Sequence, residues 1–342
     1  MFHTAGQNCN PLRVVVFIRL TYLAQYMSIE NAVSYPDGIY ALDSGYVRSG
    51  LAAIHLVVRA GRVAIIDTGT FYSVPRVLDF LAAQGLTAEA VDLVLVTHVH
   101  LDHAGGAGRL MQGCPNARLV VHPRGARHMI DPSRLVAGTM AVYGEANFQA
   151  LYGEIVPVPA ERVIEAGDGF SLDWAGTTLT FLDTPGHARH HYCVHERHSN
   201  ALFTGDCFGI SYREFDTDGR AFIFPTTTPV QFDPPAAHAT LDRLLALSPA
   251  AIFLTHWGRV TELPRLTADL HDLLDRFVEL TRSAPGDGEM AQAWLKAALG
   301  DLLWARLQAH GWSGTLSQAL SLLDNDLELN AQGLLYWREH GQ

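Results

Sequence analysis

Short β-branched runs alternate along the chain with stretches of helical spacing. Ile39-Leu42, Ala52-Val58 and Val63-Asp67 are apolar runs separated by glycine-containing turns such as Gly61, the pattern of sequential strands. Val74-Gln84 places its apolar residues at helical spacing and is closed by Gly85. Val91-Val96 is a nearly continuous apolar run, as expected for a strand covered on both faces. His103-Met111 reads as a helix and Arg118-His122 as another strand. Residues 123–153 are mostly helical in pattern and longer than a connector needs, which suggests a lid or substrate wall.

The second half repeats the theme. Phe170-Trp174 and Leu179-Asp183 bracket a turn at Ala175-Gly176 and read as a hairpin. His191-His195, Ala201-Thr204 and Ala251-Leu254 follow as strands, and Ala236-Leu247 as a helix. Between them, Phe208-Pro235 forms a polar-aromatic loop whose length points to function. Everything after Leu263 reads as helices, with a boundary at Pro285-Gly288. This order predicts an α+β protein with two sheets held between helical layers. Residues 28–284 form the main domain and 285–342 a small helical extension, read as a cap on the sandwich or a homodimer seam. Residues 1–27 read as an extension outside the fold, with Met27 as an alternative start. Their apolar run, Val14-Met27, is interrupted by Arg19 and is too short for a membrane span or a clean signal peptide.

Composition narrows the classes. The 342 residues are 48% hydrophobic and 17% charged, within the range of an ordinary globular enzyme. Net charge is −11, with 24 basic against 35 acidic residues, so no electrostatic footprint for nucleic acid is present. Cys9, Cys114, Cys193 and Cys207 lack CxxC spacing, which argues against a disulfide framework or zinc knuckle and suggests a cytoplasmic, reducing setting.

The chemistry concentrates at strand ends. Thr97-Gly106 reads THVHLDHAGG directly after an apolar strand. In extended backbone His98 and His100 point to one side, while Asp102 and His103 reach the same neighbourhood after the chain turns into a helix. Imidazoles and a carboxylate suit Zn2+, Fe2+ or Mn2+. His187 in TPGH, Asp206 in FTGD and His256 in LTHW repeat the grammar of apolar run, small or polar turn, ligand.

With these motifs the chain resembles the metallo-β-lactamase-fold hydrolase superfamily over roughly Gly38-Leu280. Its signature segments occur in order: DTG at Asp67-Gly69, HVHLDH at His98-His103, PGH at Pro185-His187, GD at Gly205-Asp206 and TH at Thr255-His256. The resemblance implies a four-layer αββα sandwich with a two-metal site. His98, His100 and His187 would hold one ion, Asp102, His103 and His256 the other, and Asp206 would bridge. It implies a hydrolase using a metal-bridging hydroxide, with Zn2+ favoured over Fe2+ or Mn2+. Asp67 is expected behind the ligands, orienting a histidine through its ring N–H.

Details select among branches. Asp206 stands where classical β-lactamases of the superfamily have no aspartate. His100 stands where oxygen-binding relatives carry glutamate. The short span between Asp206 and His256 leaves no room for an inserted RNA-binding domain. A glyoxalase-II-like or lactonase-like hydrolase of small esters, thioesters or lactones remains. The alternatives are an iron-dependent oxygen-using relative, or a metal-bearing ligand sensor with vestigial hydrolysis. The partner expected is a small-molecule substrate, without nucleic acid or membrane. His190 replaces the glycine of a GHxxGH-type motif and reads as a solvated strand-edge residue, whereas His191 is expected behind the ligands or at the substrate. In the long loop, Tyr212, Arg213, Phe222 and Phe224 are expected to wall the cleft, with Tyr212 stabilising an oxyanion. The loop lacks the basic pattern expected for a glutathione thioester.

Overall fold

The computed structural model describes residues 32–228 and 230–341. The expectations for residues 1–27 lie outside them. Two mixed sheets stack face to face. The first is seven-stranded, in the sequence order β1 (Ala32–Tyr35), β2 (Ile39–Asp43), β3 (Ala53–Arg59), β4 (Arg62–Ile66), β5 (Val91–Val96), β6 (Arg118–Val121) and β7 (Val163–Glu165). The second is six-stranded and comprises β8 (Ser171–Trp174), β9 (Thr177–Asp183), β10 (Tyr192–Glu196), β11 (Ala201–Phe203), β12 (Ala251–Leu254) and β13 (Gly258–Val260). Three edge strands, β1, β7 and β13, were not expected from sequence. They are only three or four residues long, too short for alternation to stand out.

Alternation along the strands fills three layers of core. In β5, Leu93 and Leu95 meet Phe181, Val194 and Phe253 of the opposing sheet, whereas Val94 and Val96 face helices. Those helices include α1 (Val74–Ala83), α3 (Ala107–Gly113) and α4 (Pro123–Ile130), which bury Val77, Leu110 and Met129. The outer face of the second sheet, through Leu202 and Ile252, packs under α7 (Pro234–Ala246), α8 (Leu263–Ser283), α9 (Gly288–His310) and α10 (Leu316–His340). The result is the αββα sandwich expected, an α+β fold with C-terminal helices. Residues of α9 and α10 such as Leu299 and Leu334 lie in the same apolar cluster as Phe277 of α8. Among the described residues, no helix is long and apolar enough to cross a membrane.

Two short helices, α5 (Ser133–Tyr143) and α6 (Glu145–Tyr152), complete the wall predicted between residues 123 and 153. The loop after β11 is also observed, broken among the described residues by a 3-10 turn at Arg213–Phe215 before the helix that starts at Pro234.

Candidate metal centre

The site forms where several strands end at one edge of the sandwich. His98 and His100 follow β5, and Asp102 and His103 lie on α2 (Leu101–Ala104). His187 occupies the turn between β9 and β10, Asp206 follows β11, and His256 follows β12. Metal-competent atoms of His98, His100, His187 and Asp206 lie within 4.8 Å of one another, and so do those of Asp102, His103 and His256. Asp206 connects the groups. Its Oδ2 lies 3.5 Å from His187 Nε2, while its Oδ1 lies 3.2 Å from His103 Nε2 and 3.5 Å from His256 Nε2.

Ring orientation is fixed from behind. Asp67 sits at φ +56°, a left-handed conformation that carries strain for a non-glycine residue. Its carboxylate accepts from His103 Nδ1 at 2.8 Å, Thr255 Oγ1 at 2.7 Å and Thr97 N at 2.8 Å. His103 Nε2 is thereby left facing the site. Burial would lower this ring's pKa, but the carboxylates of Asp206, Asp102 and Asp67 outweigh it and hold it well above its ordinary value. A cation binding there would displace its proton. His256 Nδ1 donates to the Leu51 carbonyl at 2.8 Å, which leaves its Nε2 facing inward too. In the first group His100 Nδ1 lies 2.8 Å from His98 Nε2 and 3.1 Å from His187 Nε2.

This donor set fits a pair of divalent cations. His103 Nε2 and Asp206 Oδ1 are buried yet have no hydrogen-bond partner, an arrangement that is costly unless something else binds them. Burial, reinforced by neighbouring imidazoles, holds His98 and His100 well below their ordinary pKa, so both rings are neutral and able to ligate. Burial alone would raise Asp206, but the imidazoles of His103 and His256 outweigh it and hold the carboxyl well below its usual range. Neutral nitrogens and ionised oxygens are the forms a metal requires.

His191 lies behind the ligands. Fully buried, it donates from Nδ1 to Thr184 Oγ1 at 2.8 Å and accepts the Asp206 backbone N–H at Nε2, 3.3 Å away. It does not reach the cleft. His190, expected to be a solvated edge residue, instead lines the cleft with its ring 5.7 Å from that of His100. The β9–β10 turn carries it inward.

A cleft of about 840 Å³ opens over the centre. His100, Asp102, Asp206 and His256 form its inner end. Tyr46, Tyr143 and Tyr152 line it, with the hydroxyls of Tyr46 and Tyr152 3.0 Å apart. Burial, then the charge of Asp102 or of neighbouring phenols, holds these three phenols above their usual pKa, so they stay protonated and can donate. The long loop reaches the cleft, as expected, but through Ile210 and Thr226 rather than through Tyr212, Arg213, Phe222 and Phe224.

Tyr212 is the main correction. Its side chain is completely buried under Arg48, whose guanidinium lies 4.5 Å from the ring centroid. Its hydroxyl donates to the Asp326 carboxylate at 3.0–3.1 Å. Phe222 and Phe224 likewise pack into the core shared with α9 and α10, and Arg213 turns back to the Ser211 carbonyl at 2.6 Å. An amphipathic loop beneath a helical layer buries its rings there, because fully burying an aromatic side chain gains more than lining a wet cleft.

Sequence reasoning missed the contribution of α10. Asp326 and Asn330 line the cleft, and Asn330 Oδ1 accepts from Thr227 N at 2.7 Å, clamping the loop. The available signal was a pair of polar residues one helical turn apart on a face otherwise occupied by Leu323, Leu327 and Leu334.

The model of the metallo-β-lactamase superfamily matches residues 49–256 of this chain. The chain belongs to that superfamily. It is 26% identical over 229 residues to the metallo-β-lactamase fold-containing protein ST1585 of Sulfurisphaera tokodaii, covering 66% of this chain and 80% of that protein. It is 31% identical over 184 residues to the acyl-coenzyme A thioesterase MBLAC2 of Gallus gallus, covering 50% of this chain and 62% of the relative. Identity to hydroxyacylglutathione hydrolase of Aeromonas salmonicida is 28% over 198 residues, covering 57% of this chain and 56% of that enzyme. The match thus spans little more than half the length of the two named hydrolases. The solved structure of ST1585 superposes with a TM-score of 0.60 at 22% identity, over 89% of this chain and 100% of its own. That likeness shows the fold.

Proposed function

We propose that the chain is a dinuclear metal-dependent hydrolase, most consistent with Zn2+, that cleaves small thioesters, with esters and lactones as related substrates. The observation that carries this reading is the division of Asp206, one carboxylate oxygen toward His187 and the other toward His103 and His256. His98, His100 and His187 would hold one ion and Asp102, His103 and His256 the other. When bound, such a pair lowers the pKa of water toward about 7 and polarises a carbonyl oxygen.

The chain's own residues supply the rest. Asp67 and the Leu51 carbonyl hold His103 and His256 in the tautomer that presents Nε2. Asp206 and Asp102 balance the charge of the cations. Protonated Tyr46 and Tyr152 offer hydroxyl donors along the cleft, where developing negative charge on a carbonyl oxygen can be met. The thioester preference follows from two named relatives, a thioesterase and a hydroxyacylglutathione hydrolase. The free thiols of Cys114, Cys193 and Cys207 suit a reducing, cytoplasmic setting.

The test is metal analysis of the purified protein joined to a screen of thioesters, lactones, phosphodiesters and β-lactams. Bound divalent metal and thioester cleavage that is lost in Asp206→Asn are expected. Metal-bearing protein that consumes oxygen and cleaves none of these substrates would replace this reading with an oxidative one.

A further inference from the structure

We propose that the outer end of the cleft is an oxyanion subsite, built by Arg124, Arg127, Arg134 and Arg189, that takes a phosphate or carboxylate group carried by the substrate. The inference rests on the hydrolase reading and specifies what that cleft selects.

All four arginines line the same cleft as the metal centre, and all four are exposed. No carboxylate lies within 4.0 Å of any of them among the described residues. Some arginines elsewhere in this acidic chain have such partners, as Arg243 does with Asp168 at 2.7 Å and Arg265 with Glu262 at 2.6 Å, and others do not. What sets these four apart is that they gather in one cleft. Guanidinium groups left unpaired in a chain of net charge −11 are a local reversal of field. The carboxylates lining the cleft, Asp102, Asp206 and Asp326, belong instead to the metal-ligand set or to α10.

Two of these arginines are tied by hydrogen bonds to neighbouring parts of the rim. Arg124 Nη1 donates to the Arg189 carbonyl at 3.2 Å, tying α4 to the turn that carries His187 and His190. Arg127 Nε donates to His128 Nε2 at 3.3 Å. His128, which also lines the cleft, is held below its ordinary pKa by burial and then by the charges of Arg127 and Arg134. The helix bearing Arg124, Arg127 and His128 packs directly on the ligand segment. A Cβ at Gly125 would come within 2.8 Å of Val99 Cγ1, beside His98 and His100.

Planar guanidinium forks bind phosphate and carboxylate through paired charge-assisted hydrogen bonds. A cleft of about 840 Å³ is large enough for a drug-sized ligand. A substrate with its scissile carbonyl at the metals and an oxyanion at the arginines would satisfy both ends.

The test compares three thioesters with metal-loaded protein. Acetyl-coenzyme A carries phosphates on the thiol side, glutaryl-N-acetylcysteamine carries a carboxylate on the acyl side, and acetyl-N-acetylcysteamine carries neither. At least one anionic substrate is expected to exceed the uncharged one by about tenfold or more in kcat/KM. Which one wins identifies the side that faces the arginines. The double variant Arg124→Ala/Arg134→Ala should lose that preference through KM, and rising salt should erode it in the wild type. Equal kcat/KM for all three, or a preference that the double variant keeps, overturns the subsite and leaves hydrolysis standing. If none is cleaved, the hydrolase reading fails and calorimetry with inorganic pyrophosphate decides the subsite separately. Binding weakened about tenfold in the double variant supports it, and equal binding overturns it.

Discussion

Asp67 Oδ2 accepts from His103 Nδ1 at 2.8 Å, a pairing of two fully buried side chains 36 positions apart in the chain. It fixes which ring nitrogen faces the metal centre. Replacing Asp67 by asparagine keeps the shape but removes the charge that holds the His103 ring. Metal affinity or activity of Asp67→Asn should fall about 10–100-fold while the circular dichroism spectrum is retained. Metal titration measures this.

Gly205 makes a second, steric prediction. It adopts φ +49°, and a Cβ there would lie 2.6 Å from both His191 Nε2 and Thr97 Oγ1. Both atoms belong to side chains packed behind the ligands, so neither can retreat freely. Gly205→Ala should cost on the order of 2 kcal/mol or more in stability and should release bound metal. A thermal melt with metal quantification reads both effects.

Tyr212 is expected to act on stability. Phenylalanine at this position leaves the buried Asp326 carboxyl without its hydroxyl donor. Tyr212→Phe should lose about 1–2 kcal/mol in denaturant unfolding. Its kcat on a cleaved thioester should change only a few-fold, well short of the ~100-fold expected for removing an oxyanion donor.

Glu196 contributes a pH-dependent increment away from the site. Fully buried, it accepts from Arg59 Nη2 at 2.8 Å and Ser199 N at 2.9 Å, and also from the hydroxyls of Thr177 and Ser199. Burial would raise its pKa, but these bonds outweigh it and bring it from 4.5 to about 2. Its folded pKa is depressed, so the stabilisation is complete above about 4.5 and is lost as pH falls toward 2. The stability difference between wild type and Glu196→Gln, on the order of 3 kcal/mol near neutral pH, should therefore shrink below pH 4.5. Urea melts at a series of pH values check the sign.

Much of the architecture was legible because it is written locally. An apolar run followed by a turn and a ligand can be read within ten residues, and THVHLDH, TPGH, FTGD and LTHW each follow that rule. The long strands were legible because two covered faces demand nearly unbroken apolar sequence. What escaped depends on distance in the chain. Tyr212 meets Asp326 across 114 positions, and Thr227 meets Asn330 across 103. Nothing near Tyr212 in sequence shows whether its ring turns to the cleft or to a helical layer. The arginine rim was equally hidden, since the β9–β10 turn brings Arg189 to Arg124, 65 positions away in the chain, and to the cleft that Arg127 and Arg134 line. His190 looked solvated for the same reason.

The central claim is that two groups of side chains, joined by Asp206, each hold one cation. An anomalous-difference map from crystals of the metal-loaded protein tests it most directly. Two peaks are predicted, one among His98, His100 and His187 and one among Asp102, His103 and His256, with Asp206 between them at a spacing of about 3.5–4 Å. A map with no peak at these side chains, or with both ions bound elsewhere, would contradict the account.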